Sequence, residues 1–159
     1  MTETVTNITD KHNRNNNYTF GDKQMTLHTR QTTAALATLI LLQLIMLSAL
    51  YAGIPPHPPV ATPLFGIAPF LGASVSVALA AIIIGPLGDR GGRILSVLAA
   101  LLALVSFGPQ KYFDAQFGLI YPAVILGQIA AFLILLRVFS ATRNGEDATS
   151  QISGKQVRV

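Results

Sequence analysis

The chain has no cysteine, which excludes disulfides, thiolate catalysis and Cys-ligated metals. It is also poor in charge: Asp, Glu, Lys and Arg make up 11% of its residues, well below the quarter usual for soluble domains. Between Thr33 and Lys111, formal charge occurs only in the stretch Gly85-Pro-Leu-Gly-Asp-Arg-Gly-Gly-Arg93. Metal ligation finds no support either. His12 and His28 lie in a polar N-terminal segment and His57 stands among prolines, none at ligand spacing with a carboxylate. Serines are plentiful, yet none has a nearby His or Lys base to make it a nucleophile. No catalytic, cofactor or metal site is therefore expected, and the chain does not read as an enzyme.

What is present is aliphatic. Half of the 159 residues are hydrophobic, concentrated in one block from Thr33 to Phe139 with polar segments outside it. The length suits one domain. Net charge is +4, but the excess sits in the flanking segments and one loop. That distribution reads as a topology signal rather than a nucleic-acid footprint, so nucleic acid is not an expected partner.

In order, residues 1–32 are polar, with Asn13, Asn15, Asn16 and Asn17 clustered, and a disordered tail is expected. They do not resemble a signal peptide, because the polar leader is too long and no A-x-A site follows. Four transmembrane helices are expected at about 33–53, 64–84, 91–108 and 117–138. The first has 21 residues without a charge, enough at ~1.5 Å per residue to cross a ~30 Å hydrocarbon core. Ile54-Pro-Pro-His-Pro-Pro59 stops it, since proline lacks an amide donor and restricts the residue before it. Thr62-Pro63 can open the second helix. The third is the shortest, ending before Pro109, and Asp114 is placed to cap the fourth. Residues 140–159 read as a flexible tail.

Basic residues orient these spans. With four crossings, ten of the eleven Lys and Arg side chains fall on one side: four before the first span, Arg90 and Arg93 between the second and third, and four from Arg137 onward. Only Lys111 falls on the other. The expectation is an all-α integral membrane protein, an up-down four-helix bundle with both termini cytoplasmic. A bacterial plasma membrane, or an equivalent cytoplasm-facing membrane, is the expected location. Aromatics agree: Tyr51, Phe65, Phe70, Phe107, Tyr112, Phe113, Phe117 and Tyr121 cluster toward the outer ends of the spans.

Gly85-x-Leu-Gly-Asp-Arg-x-Gly-Arg93 resembles the loop signature of major facilitator transporters, which joins their second and third spans on the cytoplasmic side. The resemblance covers these nine residues. It implies a charge network between Asp89, Arg90, Arg93 and the neighbouring helices. Read from the residues alone, the stretch is a tight turn in which glycines supply backbone freedom, arginines hold topology, and Asp89 pairs with Arg93 at i, i+4.

Other polar positions are few. Gln43 and Gln128 are the mid-span amides of the first and last helices, and a hydrogen bond between them is expected; a polar anchor for a small ligand is the sharper alternative. Tyr51, His57, Lys111, Tyr112, Asp114 and Gln116 gather at the outer mouth. Two small-residue stripes, Ala68/Gly72/Ser76/Ala80 and Ala123/Gly127/Ala131, predict closely packed helix faces. No ionisable group lies deep in any span, which argues against a proton-coupled pump or an ion channel. It also argues against small multidrug-type exporters, which depend on a membrane-embedded carboxylate. Two functions remain. One is an accessory, assembly or scaffold component, with a membrane-protein partner or its own copies besides the lipid bilayer. The other is a module that binds or moves a lipophilic compound as an oligomer, a major-facilitator-like fragment being one form of it.

Overall fold

A computed structural model describes the backbone of residues 3–54, 64–115 and 117–156, and side chains of residues 26–54, 65–115 and 117–143. The proline linker with His57, and Gln116, lie outside the described residues. All regular structure among the described residues is helical: α1 (Glu3–Ala52), α2 (Leu64–Ile84), α3 (Arg90–Phe107) and α4 (Phe117–Gln156), with a 3-10 segment, Pro109–Phe113, after α3. Four stretches are long and apolar enough to cross a membrane: Thr26–Ala52, Phe65–Ile84, Arg90–Phe113 and Phe117–Arg143. The third span, 18 residues as an α-helix, gains length from the 3-10 segment.

The helical backbone is longer than the apolar pattern at both termini. Where the composition predicts loose tails at 1–32 and 140–159, α1 is helical from Glu3 and α4 runs on to Gln156. All nine prolines stand between positions 55 and 122, so nothing interrupts the backbone ladder in either polar segment. Extending an existing helix then adds one hydrogen bond per residue fixed, with no new nucleation step.

α1 packs on α2 and α4, and α3 packs on the same two helices, so the diagonal α1–α3 contact is slighter. The interior is built from small and medium aliphatics: Leu36 and Leu39 of α1, Ala78 and Ala81 of α2, Ala99, Ala100 and Ala103 of α3, Ala130, Ala131 and Ile134 of α4. Alanine here has a physical use. Lipid tails are as apolar as the helices, so close backbone approach and van der Waals contact must hold the bundle. Large side chains instead point outward, among them Ile45, Phe65, Ile83, Ile94, Val105, Leu119 and Phe132. A soluble domain would bury them; a membrane helical bundle presents them to lipid.

Of the two small-residue stripes, one packs and one does not. Gly127 and Ala131 are buried, and a Cβ at Gly127 would lie 2.9 Å from the Cβ of Phe107. α2 is rotated relative to expectation: it packs through Leu71, Ser74, Ala78 and Ala81, while Gly72 and Ser76 face outward. Small residues surround α2, so their spacing alone did not select a face. The inward face carries a buried polar contact, Ser74 with Gln43 of α1.

Candidate functional site

The turn between α2 and α3 is built for sharpness. Gly85 has φ +99, a conformation costly for any residue with a Cβ. Gly92 sits where a Cβ would collide with the Gly85 carbonyl. Asp89 is extended, at φ −129 and ψ 179, and its Oδ1 accepts the Gly92 amide at 2.7 Å as the N-cap of α3. The cap occupies the carboxylate, and the Asp89–Arg93 ion pair expected from i, i+4 spacing does not form. The wider network implied by the transporter-loop resemblance is likewise absent: among the described residues neither Arg90 nor Arg93 has an ion-pair partner. Arg90 is exposed, while Nε of Arg93 is buried without an acceptor. Both arginines line a cavity of about 480 Å³ whose remaining walls are Ile94, Val97, Leu98, Leu101, Val138 and Thr142. Near this end Arg137 donates to Gln31 Oε1 at 2.6 Å, and Arg143 lies 5.0 Å above the Phe139 ring.

A second polar cluster closes the opposite end of α3. Gln110 Nε2 donates to the carbonyls of Leu104 and Val105 at 3.2 and 2.7 Å, satisfying acceptors that a helix end leaves open. Tyr112 donates its hydroxyl hydrogen to Gln128 Oε1 at 2.7 Å, and Gln128 Nε2 donates to the Phe107 carbonyl at 3.0 Å. Lys111 Nζ is 3.5 Å from Asp114 Oδ2. α4 starts at Phe117, whose amide donates to the backbone carbonyl of Asp114 at 3.0 Å. Tyr51 is exposed at the end of α1. Nearby, Leu47, Tyr51, Phe65, Ala68 and Pro69 line a cleft of about 410 Å³.

Gln43 and Gln128 are not partners. Gln43 Nε2 donates to Ser74 Oγ at 2.7 Å, fully buried between α1 and α2, and Gln43 Oε1 has no partner. Gln128 lies level with the end of α3 and spends both ends of its amide there. Ser74, and the pairing of Tyr112 with Gln128, are thus what spacing arguments missed. Ser74 was hidden because serine is common in apolar helices, and Tyr112 because a belt of aromatics already accounted for it.

The described residues contain no group of three or more His, Asp or Glu able to hold a metal ion. What the basic end can do is bind an anion beside apolar surface, while the other clusters satisfy helix ends and join helices. No family model matches the chain, and it matches no curated protein and no solved structure.

Proposed function

We propose that the chain is a non-catalytic membrane subunit, an accessory, assembly or scaffold component that binds a larger membrane protein or its own copies. The observation that carries this reading is the unused face of α2. Gly72, Ala73 and Ser76 are exposed there, and a Cβ at Gly72 would meet nothing within 4 Å. The bundle already uses the opposite face, so a further helix could approach this backbone closely, which lipid chains gain little from. In the proposed arrangement the helices run up and down, both termini are cytoplasmic, and the membrane is a bacterial plasma membrane or its equivalent. Asp89, Arg90 and Arg93 then mark the cytoplasmic turn, and His57, Lys111 and Asp114 lie toward the outer side.

The test is mild solubilisation of the native membrane followed by size and mass of the species that carries the protein. Gly72→Leu is expected to reduce that species to the isolated subunit while leaving thermal stability in detergent unchanged. An isolated subunit in the parent, or an unchanged assembly in Gly72→Leu, overturns the reading. The second reading, a module for a lipophilic compound, draws support from the clefts beside α3 and α4. It requires a ligand that co-purifies with the bundle and leaves the Gly72 face irrelevant.

A further inference from the structure

The cavity between α3 and α4 has a polar mouth and a long apolar floor. Arg90 and Arg93 stand at one end, and Ile94, Val97, Leu98 and Leu101 continue from them along α3. From Arg93 to Leu101 this is eight residues, about 12 Å of helix. A second groove of about 480 Å³ adjoins it, sharing Val97, Val138 and Thr142 and bounded by Phe132, Leu135, Leu136 and Phe139. Two apolar grooves therefore meet at Val97, Val138 and Thr142, and the arginines line one of them.

Among the described residues the arginines at that mouth stand without an ion-pair partner. Asp89, the nearest carboxylate in sequence, is committed to the Gly92 amide. Arg93 Nε is moreover buried with no acceptor, and a buried donor left unpaired is costly. A phosphate oxygen would be an acceptor of the kind the Arg93 guanidinium lacks, and guanidinium groups bind phosphate through a planar fork of N–H donors. An occupant that pairs an anionic phosphate with two hydrocarbon chains matches each of these features. A zwitterionic headgroup would bring its own cation against two arginines that have no ion-pair partner among the described residues.

We propose that this cleft is a specific site for an anionic phospholipid, its phosphate held by Arg90 and Arg93 and its acyl chains lying in the two grooves either side of Val138. The site is independent of the α2 face invoked above. It would fix lipid composition around the α2–α3 turn and contribute to the stability of the α3–α4 pair.

Native mass spectrometry of the purified full chain in a neutral detergent tests this, with phosphatidylglycerol or phosphatidylcholine of identical acyl chains added. Phosphatidylglycerol is expected to be retained over phosphatidylcholine by on the order of tenfold. The double variant R90Q/R93Q should lose that preference, and Lys111→Gln, at the other end of α3, should keep it. Leu98→Trp narrows the groove and should reduce retention of the lipid with the arginines intact, which covers the case in which the double variant fails to fold. Glycerol 3-phosphate, the headgroup chemistry without chains, should not displace the lipid. Equal retention of the two lipids overturns the proposal, as does a preference that survives R90Q/R93Q and Leu98→Trp. Displacement by glycerol 3-phosphate would identify a phosphate site instead and equally overturn it.

Discussion

Gln43 and Ser74 form a buried side-chain hydrogen bond between α1 and α2, 2.7 Å from Nε2 to Oγ. It lies on the face of α2 that turns inward. With Ser74 held against Gln43, the residues one and two turns along that face, Ala78 and Ala81, enter the core, and Gly72 and Ser76 are left outside. The contact is only half of what the amide could make, because Gln43 Oε1 is buried without a partner.

That imbalance gives asymmetric mutant effects. Ser74→Ala strands the whole Gln43 amide and should destabilise the bundle by about 1 kcal/mol, the scale of interhelical hydrogen bonds in membranes. Gln43→Leu removes donor and acceptor together and should be near neutral or stabilising. The double variant should resemble Gln43→Leu. Thermal denaturation in detergent ranks the three, and a Gln43→Leu loss larger than that of Ser74→Ala would show that the amide matters beyond this bond.

Gly127 and Phe107 predict a steric effect on the opposite seam. A Cβ at Gly127 would stand 2.9, 3.0 and 3.2 Å from Phe107 Cβ, Cγ and Cδ2, closer than side chains tolerate. Gly127→Ala should cost about 1–3 kcal/mol, the usual range for overpacking, and Gly127→Leu more. Combining Gly127→Ala with Phe107→Leu should recover part of the loss, because the two residues share one contact. If Gly127→Ala is as stable as the parent, α4 does not approach α3 this closely.

The four helices were legible from residue type and periodicity alone because a membrane span is a demand on length and composition, and both are countable. Two features set the limit. Small residues at spacing four mark a helix that can be approached, yet on α2 they occur all round, so the inward face shows only in what Ser74 meets on another helix, Gln43 of α1. Likewise, Gln43 and Gln128 look equivalent by position in their spans. The difference between them lies in Phe107 and Tyr112, which Gln128 meets only once the 3-10 segment has folded back over α4. Asp89 shows a local case: spacing pointed it to Arg93, whereas from the extended backbone at the cap its Oδ1 takes the Gly92 amide.

Asp89 should therefore behave as a cap and not as half of an ion pair. Asp89→Asn retains a side-chain oxygen for the Gly92 amide and should match the parent, while Asp89→Ala should lose about 1 kcal/mol. Arg93→Gln should have no effect of the kind expected for breaking a pair with Asp89. A double-mutant cycle between Asp89→Ala and Arg93→Gln checks this. A coupling energy well above the ~0.3–0.5 kcal/mol error of such additivity would restore the ion pair.

The proposed topology has a direct test at the two ends of α3. Arg90 and Arg93 stand at one end, Lys111 and Asp114 beyond the other, and the basic excess falls on the arginine side. Positive residues are retained on the cytoplasmic side because their translocation is disfavoured, so the Lys111 end is placed outside. Because the chain has no native cysteine, single-Cys variants report position without background. Gly88 and Ala115 are both exposed, one in the arginine turn and the other after Asp114. Ala115→Cys should react with a membrane-impermeant maleimide added to whole cells, and Gly88→Cys should react only after the cells are opened. The reverse pattern would invert the bundle, moving both termini and the arginine turn outside. Labelling of both residues from outside would mean that α3 does not cross the membrane. The charge asymmetry would then lose its meaning as a topology signal, since the residues it counts would share one side.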